Sequence, residues 1–124
     1  MSTSKPPRVV AVVEDDSAAR TALGRLLWAG GFEPVLFESA EAYLEAPPDA
    51  LCIVLDVRLR GMSGIELQQR LRATATAPPI IVTTASHEAV IRTRAEQNGC
   101  VGFFWKPVDG HTLIATIKSL TDAS

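Results

Sequence analysis

Five short apolar runs, separated by longer stretches with helical spacing, constrain this chain more than any other feature. Residues 8–13 (RVVAVV) are rich in β-branched side chains and read as a buried strand. Residues 17–30 place Leu23, Leu26 and Leu27 on one helical face, and Gly30-Gly31 supply the stop. Residues 33–37 form a second strand. Ser39 then stands as the N-cap of a short helix with Tyr43 and Leu44 inward, which Pro47-Pro48 end. Residues 51–55 (LCIVL) are apolar on both faces and read as a third strand. Residues 64–74 carry Ile65, Leu67 and Leu71 at helical spacing. Pro78-Pro79 precede a fourth strand at 80–83, and a polar helix over 86–98 is closed by Gly99. A fifth strand at 101–105 leads to a last helix over 109–120, with Leu113, Ile114, Ile117 and Leu120 apolar.

Strands apolar on both faces need cover on both sides. The pattern therefore predicts an α/β fold, a parallel sheet with helices on each face. Right-handed crossovers make it an open, doubly wound sheet. A chain of 124 residues suits one domain with a core of its own. Residues 1–7 are expected to be a loose tail, and 8–121 the folded unit. No apolar run approaches the roughly 20 residues of a membrane helix, and no secretory signal is visible. With 12 basic against 14 acidic residues, charge gives no reason to bind nucleic acid. Cys52 and Cys100 are too few for a disulfide framework and read as small buried hydrophobes. Unpaired thiols and the absence of a signal favour the cytoplasm.

In such a sheet ligands bind beyond the carboxyl ends of the strands. The first strand ends there in Glu14-Asp15-Asp16, the third in Asp56, the fourth in Thr83-Thr84 and the fifth in Lys106-Pro107. Carboxylates crowded at one rim raise each other's pKa, and a hard divalent cation would relieve them. A cation beside a carboxylate, with a lysine opposite and a hydroxyl one strand over, is suited to a phosphoryl group. Together these parts suggest an aspartate that becomes an acyl phosphate.

The motifs VVEDD (12–16), LDVRLRGMSG (55–64), VTTA (82–85) and FFWKP (103–107) stand in order at the strand ends. With them the chain resembles the receiver domain of two-component response regulators, from about Arg8 to Leu120. The resemblance implies a flavodoxin-like sheet of order 2-1-3-4-5 with five helices. It makes Asp56 the phosphoryl acceptor and histidine kinases or phosphotransfer proteins the donors. It places Mg²⁺, with Mn²⁺ as a substitute, on Glu14, Asp15, Asp56 and the main-chain carbonyl of Arg58. Thr84 takes the position of the switch hydroxyl, Phe103 that of the switch aromatic, and Lys106 pairs with Asp56 or its phosphate. A cis bond is implied between Lys106 and Pro107. The output surface would be helix four, strand five and helix five, meeting an effector or a second copy. Such a domain is no enzyme beyond phosphorylating itself from a donor and losing the group again.

The chain departs from the family pattern at several points. Phe103 lacks the hydroxyl of the commoner tyrosine, and Leu59-Arg60 replaces Met-Pro after the acceptor, leaving that loop less constrained. Arg58 and Arg60 set two cations beside Asp56, and Trp105 shares a strand face with Phe103, so these three are candidates for a partner surface. Asp16 reads as a helix cap, and His87 and His111 as surface residues at helix starts. Several alternatives remain: a phosphate sink or relay intermediate, a receiver cut from a longer DNA-binding regulator, and an unphosphorylated interaction module. A flavin carrier fits poorly, because Glu14-Asp15-Asp16 would repel its phosphate. An aspartyl hydrolase fits poorly because Arg58 stands where a second aspartate would be.

Overall fold

The computed structural model describes residues 8–122, so the expected tail at 1–7 lies outside the described residues. Ten elements alternate along the chain: β1 (Val9–Val13), α1 (Ser17–Ala29), β2 (Glu33–Phe37), α2 (Ala40–Glu45), β3 (Cys52–Asp56), α3 (Gly64–Arg72), β4 (Ile80–Thr84), α4 (Ala89–Gln97), β5 (Gly102–Trp105) and α5 (Gly110–Asp122). The strands form one parallel sheet in the order β2-β1-β3-β4-β5. The flavodoxin-like order expected from the motifs is the one observed.

Alternation along the strands divides the apolar residues between two layers. Ala11, Val13, Ile53, Leu55 and Val82 pack with Tyr43 of α2, Leu67 and Leu71 of α3 and Ala95 of α4. Val10, Val12, Cys52, Val54 and Ile81 pack with Leu23 and Leu27 of α1 and Leu113 and Ile117 of α5. Every residue of β3 and β4 is buried, which is why those runs are apolar on both faces. A one-residue slip would exchange the two layers, so the register is strongly fixed. That register sets Asp56 opposite Thr83, Val82 opposite Phe103 and Thr84 opposite Trp105.

Caps act where the sequence signals them. Asp16 accepts the Ala19 N–H at 2.8 Å and Ser39 the Ala42 N–H at 3.0 Å. Ser63 and Glu66 form a reciprocal capping box on α3. The fourth helix departs from expectation, since it begins at Ala89 and not at Ser86. Thr84 Oγ1 accepts the Ser86 N–H (3.0 Å) and Ser86 Oγ the Glu88 N–H (3.3 Å), so hydroxyls hold these residues in turns that compete with helix. His87 accordingly sits before the helix. Cys100 is half-buried, a correction to the reading of two buried thiols, whereas Cys52 is fully enclosed.

The polar α4 buries only Ala95. Its carboxyl-terminal half is held by α3, where Gln68 Nε2 donates to the Ala95 carbonyl (2.8 Å) and Arg72 to the Gln97 carbonyl (2.9 Å). Its first turn has no side-chain cap and exposes Val90.

Candidate phosphoacceptor site

The carboxyl ends of β1, β3 and β5 bring three acids and a lysine together. Glu14 and Asp56 are buried and Asp15 is half-buried, and one carboxylate oxygen from each lies within 4.8 Å of the others. Lys106 Nζ makes a close ion pair with Glu14 Oε1 and lies 3.2 Å from Asp56 Oδ2. Glu14 Oε2 also accepts the Asp16 N–H at 3.1 Å, which satisfies the second oxygen of a fully buried acid. The Lys106–Pro107 peptide bond is cis.

Burial and the neighbouring charge of Glu14 push the Asp56 carboxyl up to about 6, only partly offset by Lys106. Burial opposes the charge on Lys106. Its hydrogen bond to Glu14 and the charges of Asp56 and Glu14 outweigh that, and the ammonium is held above the ordinary lysine value. A buried rim with more acid than base therefore carries an unmet demand for positive charge. The donors available are all oxygens, the set a hard divalent cation takes.

Asp15 is held from the loop after β3. Its Oδ2 accepts the Arg60 N–H at 3.1 Å, and the exposed Arg60 guanidinium stands 3.8 Å away, a pairing of little energetic weight. Arg58 lies two residues past Asp56 with its side chain exposed. Gly64 lets α3 start directly against the end of β3. A Cβ there would collide with the Asp56 carbonyl oxygen and lie 2.8 Å from Val57 Cα, both rigid backbone.

The two threonines of β4 are both buried. The Thr84 oxygen takes the Ser86 N–H, which leaves its own hydroxyl proton free to donate. Thr83 Oγ1 has no partner among the described residues.

Phe103 and Trp105 meet edge to face, with ring centroids 5.5 Å apart. The Arg92 guanidinium of α4 lies over both, 5.6 Å from the Phe103 centroid and 5.1 Å from that of Trp105. The His87 ring stacks on Trp105 at 5.7 Å. Trp105 is 39% exposed, so it is neither a core residue nor a free one.

Sequence reasoning passed over Arg20, Glu41 and Arg92. Arg20 donates to the Glu14 carbonyl at 2.9 Å, bracing the acidic turn from behind. Glu41 accepts the Met62 N–H at 2.9 Å. For Arg20 its place in the first turn of α1, six residues past Glu14, was a usable signal. The other two depend on contacts between distant segments and leave no pattern in the sequence.

Known proteins are similar to this chain in sequence and in fold. Residues 10–118 match the response regulator receiver domain. Transcriptional regulatory protein FixJ of Bradyrhizobium diazoefficiens is 38% identical over 110 residues, covering 87% of this chain and 54% of FixJ. Nodulation protein W of the same organism is 36% identical over 116 residues, covering 92% of this chain and 51% of the relative. The chain thus spans about half the length of the curated relatives it matches. The crystal structure of FixJ-N superposes with a TM-score of 0.83 at 30% identity, covering 94% of each chain. A sheet that collects its acids at one rim, matched in sequence across 10–118 and in fold to FixJ-N, makes this chain a member of the response regulator receiver domain family, of the FixJ-like kind.

Proposed function

We propose that the domain is a phosphorylation-controlled switch with Asp56 as its acceptor. The observation that carries this reading is the buried Asp56 carboxylate, set between two further acids and Lys106 at the strand ends. An Asp56 oxygen forms a bond to phosphorus as the P–N bond of a phosphohistidine on a histidine kinase or phosphotransfer protein breaks. The imidazole leaves with the electron pair and takes its proton from solvent. Asp15, Asp56 and the Arg58 carbonyl would hold Mg²⁺, with Glu14 behind them, and Mn²⁺ would serve in its place. The ion would neutralise charge on the transferred group. Lys106, already beside Asp56, stabilises the same charge from the other side.

The new dianion draws the free proton of the Thr84 hydroxyl and pulls on the turn at 85–88. Phe103, on the same strand face, turns inward, and Arg92 loses the ring it covers. With its first turn uncapped and its last turn tied to α3, α4 shifts at its amino-terminal end. The remodelled α4–β5–α5 surface then meets a downstream effector or a second copy. Arg58, Arg60 and Trp105 border the site and would contribute to partner contacts. The setting would be the bacterial cytoplasm. The half-length match to FixJ favours a receiver that works as part of a longer regulator, with DNA contact left to other residues.

Intact mass after incubation with acetyl phosphate and Mg²⁺ tests this reading. One added phosphoryl group is expected, absent with Asp56→Asn and absent in EDTA. An adduct that persists in the Asp56→Asn variant would sink it.

A further inference from the structure

The loop at 57–63, between β3 and α3, carries the Arg58 carbonyl and reaches the acidic rim through the Arg60 N–H on Asp15. No proline fixes its path. Its far end is closed by the Gly64 N–H on the Val57 carbonyl at 2.9 Å. Between those ends two main-chain amides reach carboxylates from other elements. The Arg60 N–H donates to Asp15 Oδ2 at 3.1 Å, and the Met62 N–H to Glu41 Oε2 at 2.9 Å. Glu41 stands in the first turn of α2 and is exposed. It holds the loop as a clamp from outside the acidic cluster.

Gly61 shows how closely the clamp fits. Its φ is +76°, and a Cβ there would lie 2.5 Å from Glu41 Oε2. The chain turns left-handed at that point and so brings the next amide onto the carboxylate. The Met62 hydrogen bond holds the Glu41 carboxyl below the usual carboxylate range, aided by Arg70, so the acceptor stays charged in mildly acid solution. The two anchors are not equivalent. A cation held by Asp15 would draw on the same carboxylate that the Arg60 N–H uses, whereas Glu41 lies outside the acidic cluster.

We propose that Glu41 is a positioning residue for the phosphoacceptor site. By accepting the Met62 N–H it fixes the loop, so that the Arg58 carbonyl is presented to the cation when the Asp15 anchor is drawn away. This rests on the cation-assisted reading above. Groups that orient ligands without touching the metal commonly change metal affinity about 10- to 100-fold, and an exposed clamp belongs at the lower end of that range.

The test is direct binding of Mn²⁺ to the unphosphorylated protein, read from the free-ion electron paramagnetic resonance signal. Amide hydrogen exchange at Met62 is followed in parallel without metal. Glu41→Ala is expected to weaken Mn²⁺ binding about tenfold and to deprotect the Met62 amide, with thermal unfolding unchanged. Glu41→Gln keeps an acceptor oxygen at the same place and is expected to stay within about twofold of the unsubstituted protein on both readouts. Equal Mn²⁺ binding by Glu41→Ala and the unsubstituted chain would overturn the role of Glu41 alone. So would a Gln variant as weak as the Ala variant, since general negative charge would then be the cause. If the unsubstituted chain binds no Mn²⁺, the cation-assisted reading itself fails, and this proposal with it.

Discussion

Replacing Asp56 by asparagine should make the metal-free domain more stable, although Asp56 is the residue on which the proposed function turns. The carboxyl titrates at about 6 in the fold, because burial and the Glu14 charge disfavour its ionised form. In the unfolded chain it titrates near 3.9. Between those values the native state holds a proton that the unfolded state has released. Stability therefore falls as pH rises from about 4 to about 6 and is level above that. About two pK units correspond to about 3 kcal/mol of destabilisation at neutral pH. Asparagine has the same shape and leaves an acceptor oxygen for Lys106 but removes the charge, and Lys106 keeps its close pair with Glu14. The value of about 6 already includes the pull of Lys106 on the carboxylate, so Asp56→Asn should be about 3 kcal/mol more stable at pH 7.5 in EDTA. The gain should shrink to nothing near pH 4. Urea unfolding followed by far-ultraviolet circular dichroism between pH 4.5 and 8 measures it. A difference independent of pH, or an asparagine variant less stable at pH 7.5, would refute the reasoning. Mg²⁺ at ten times its dissociation constant should return about 1.4 kcal/mol to the unsubstituted protein and nothing comparable to the variant.

Two other perturbations probe the same balance. Lys106→Met leaves Glu14 and Asp56 buried without a counter-charge, and should cost about 3 kcal/mol at pH 7 by urea unfolding, with recovery as falling pH protonates the acids. Because the Lys106 pKa is raised, its contribution should hold from neutral pH up to about 10, while the two acids stay ionised, and be lost at the alkaline end as pH climbs through the raised folded value. Burial pushes the Cys52 thiol up to about 12, so at pH 8 iodoacetamide should label the half-buried Cys100 first, as read by peptide mass. Equal labelling rates for the two thiols would contradict the enclosed position of Cys52.

What could be read in advance follows a physical division. The β-branched runs near Val10, Ile53 and Ile81 state the strands outright, because central parallel strands are buried on both faces. Asp56 and Lys106 were legible as a pair for a related reason, since topology alone brings strand ends to one rim. The beginning of α4 was not legible. Ser86 looks like a helix cap in one dimension, and only the hydroxyl of Thr84 on its amide shows that the turn wins. Arg92 and Glu41 were invisible because exposed charged side chains carry no period. Their partners, the Phe103 and Trp105 rings and the Met62 amide, lie on other elements. Trp105, a candidate for a partner surface in the sequence, is 39% exposed and packs against Phe103, His87 and Arg92.

The two tryptophans lie on opposite layers of the sheet. Trp28 stands on α1, 71% exposed to water and remote from the α4–β5 cluster, while Trp105, still 39% exposed, is flanked by an imidazole, a phenyl ring and a guanidinium. The molecule thus carries an intrinsic optical gauge with its own reference. Emission from Trp28 would supply a steady baseline, and that of Trp105 would change on departure of Arg92 or His87. Kinetics of the rearrangement proposed above would in this way be readable from the unlabelled chain.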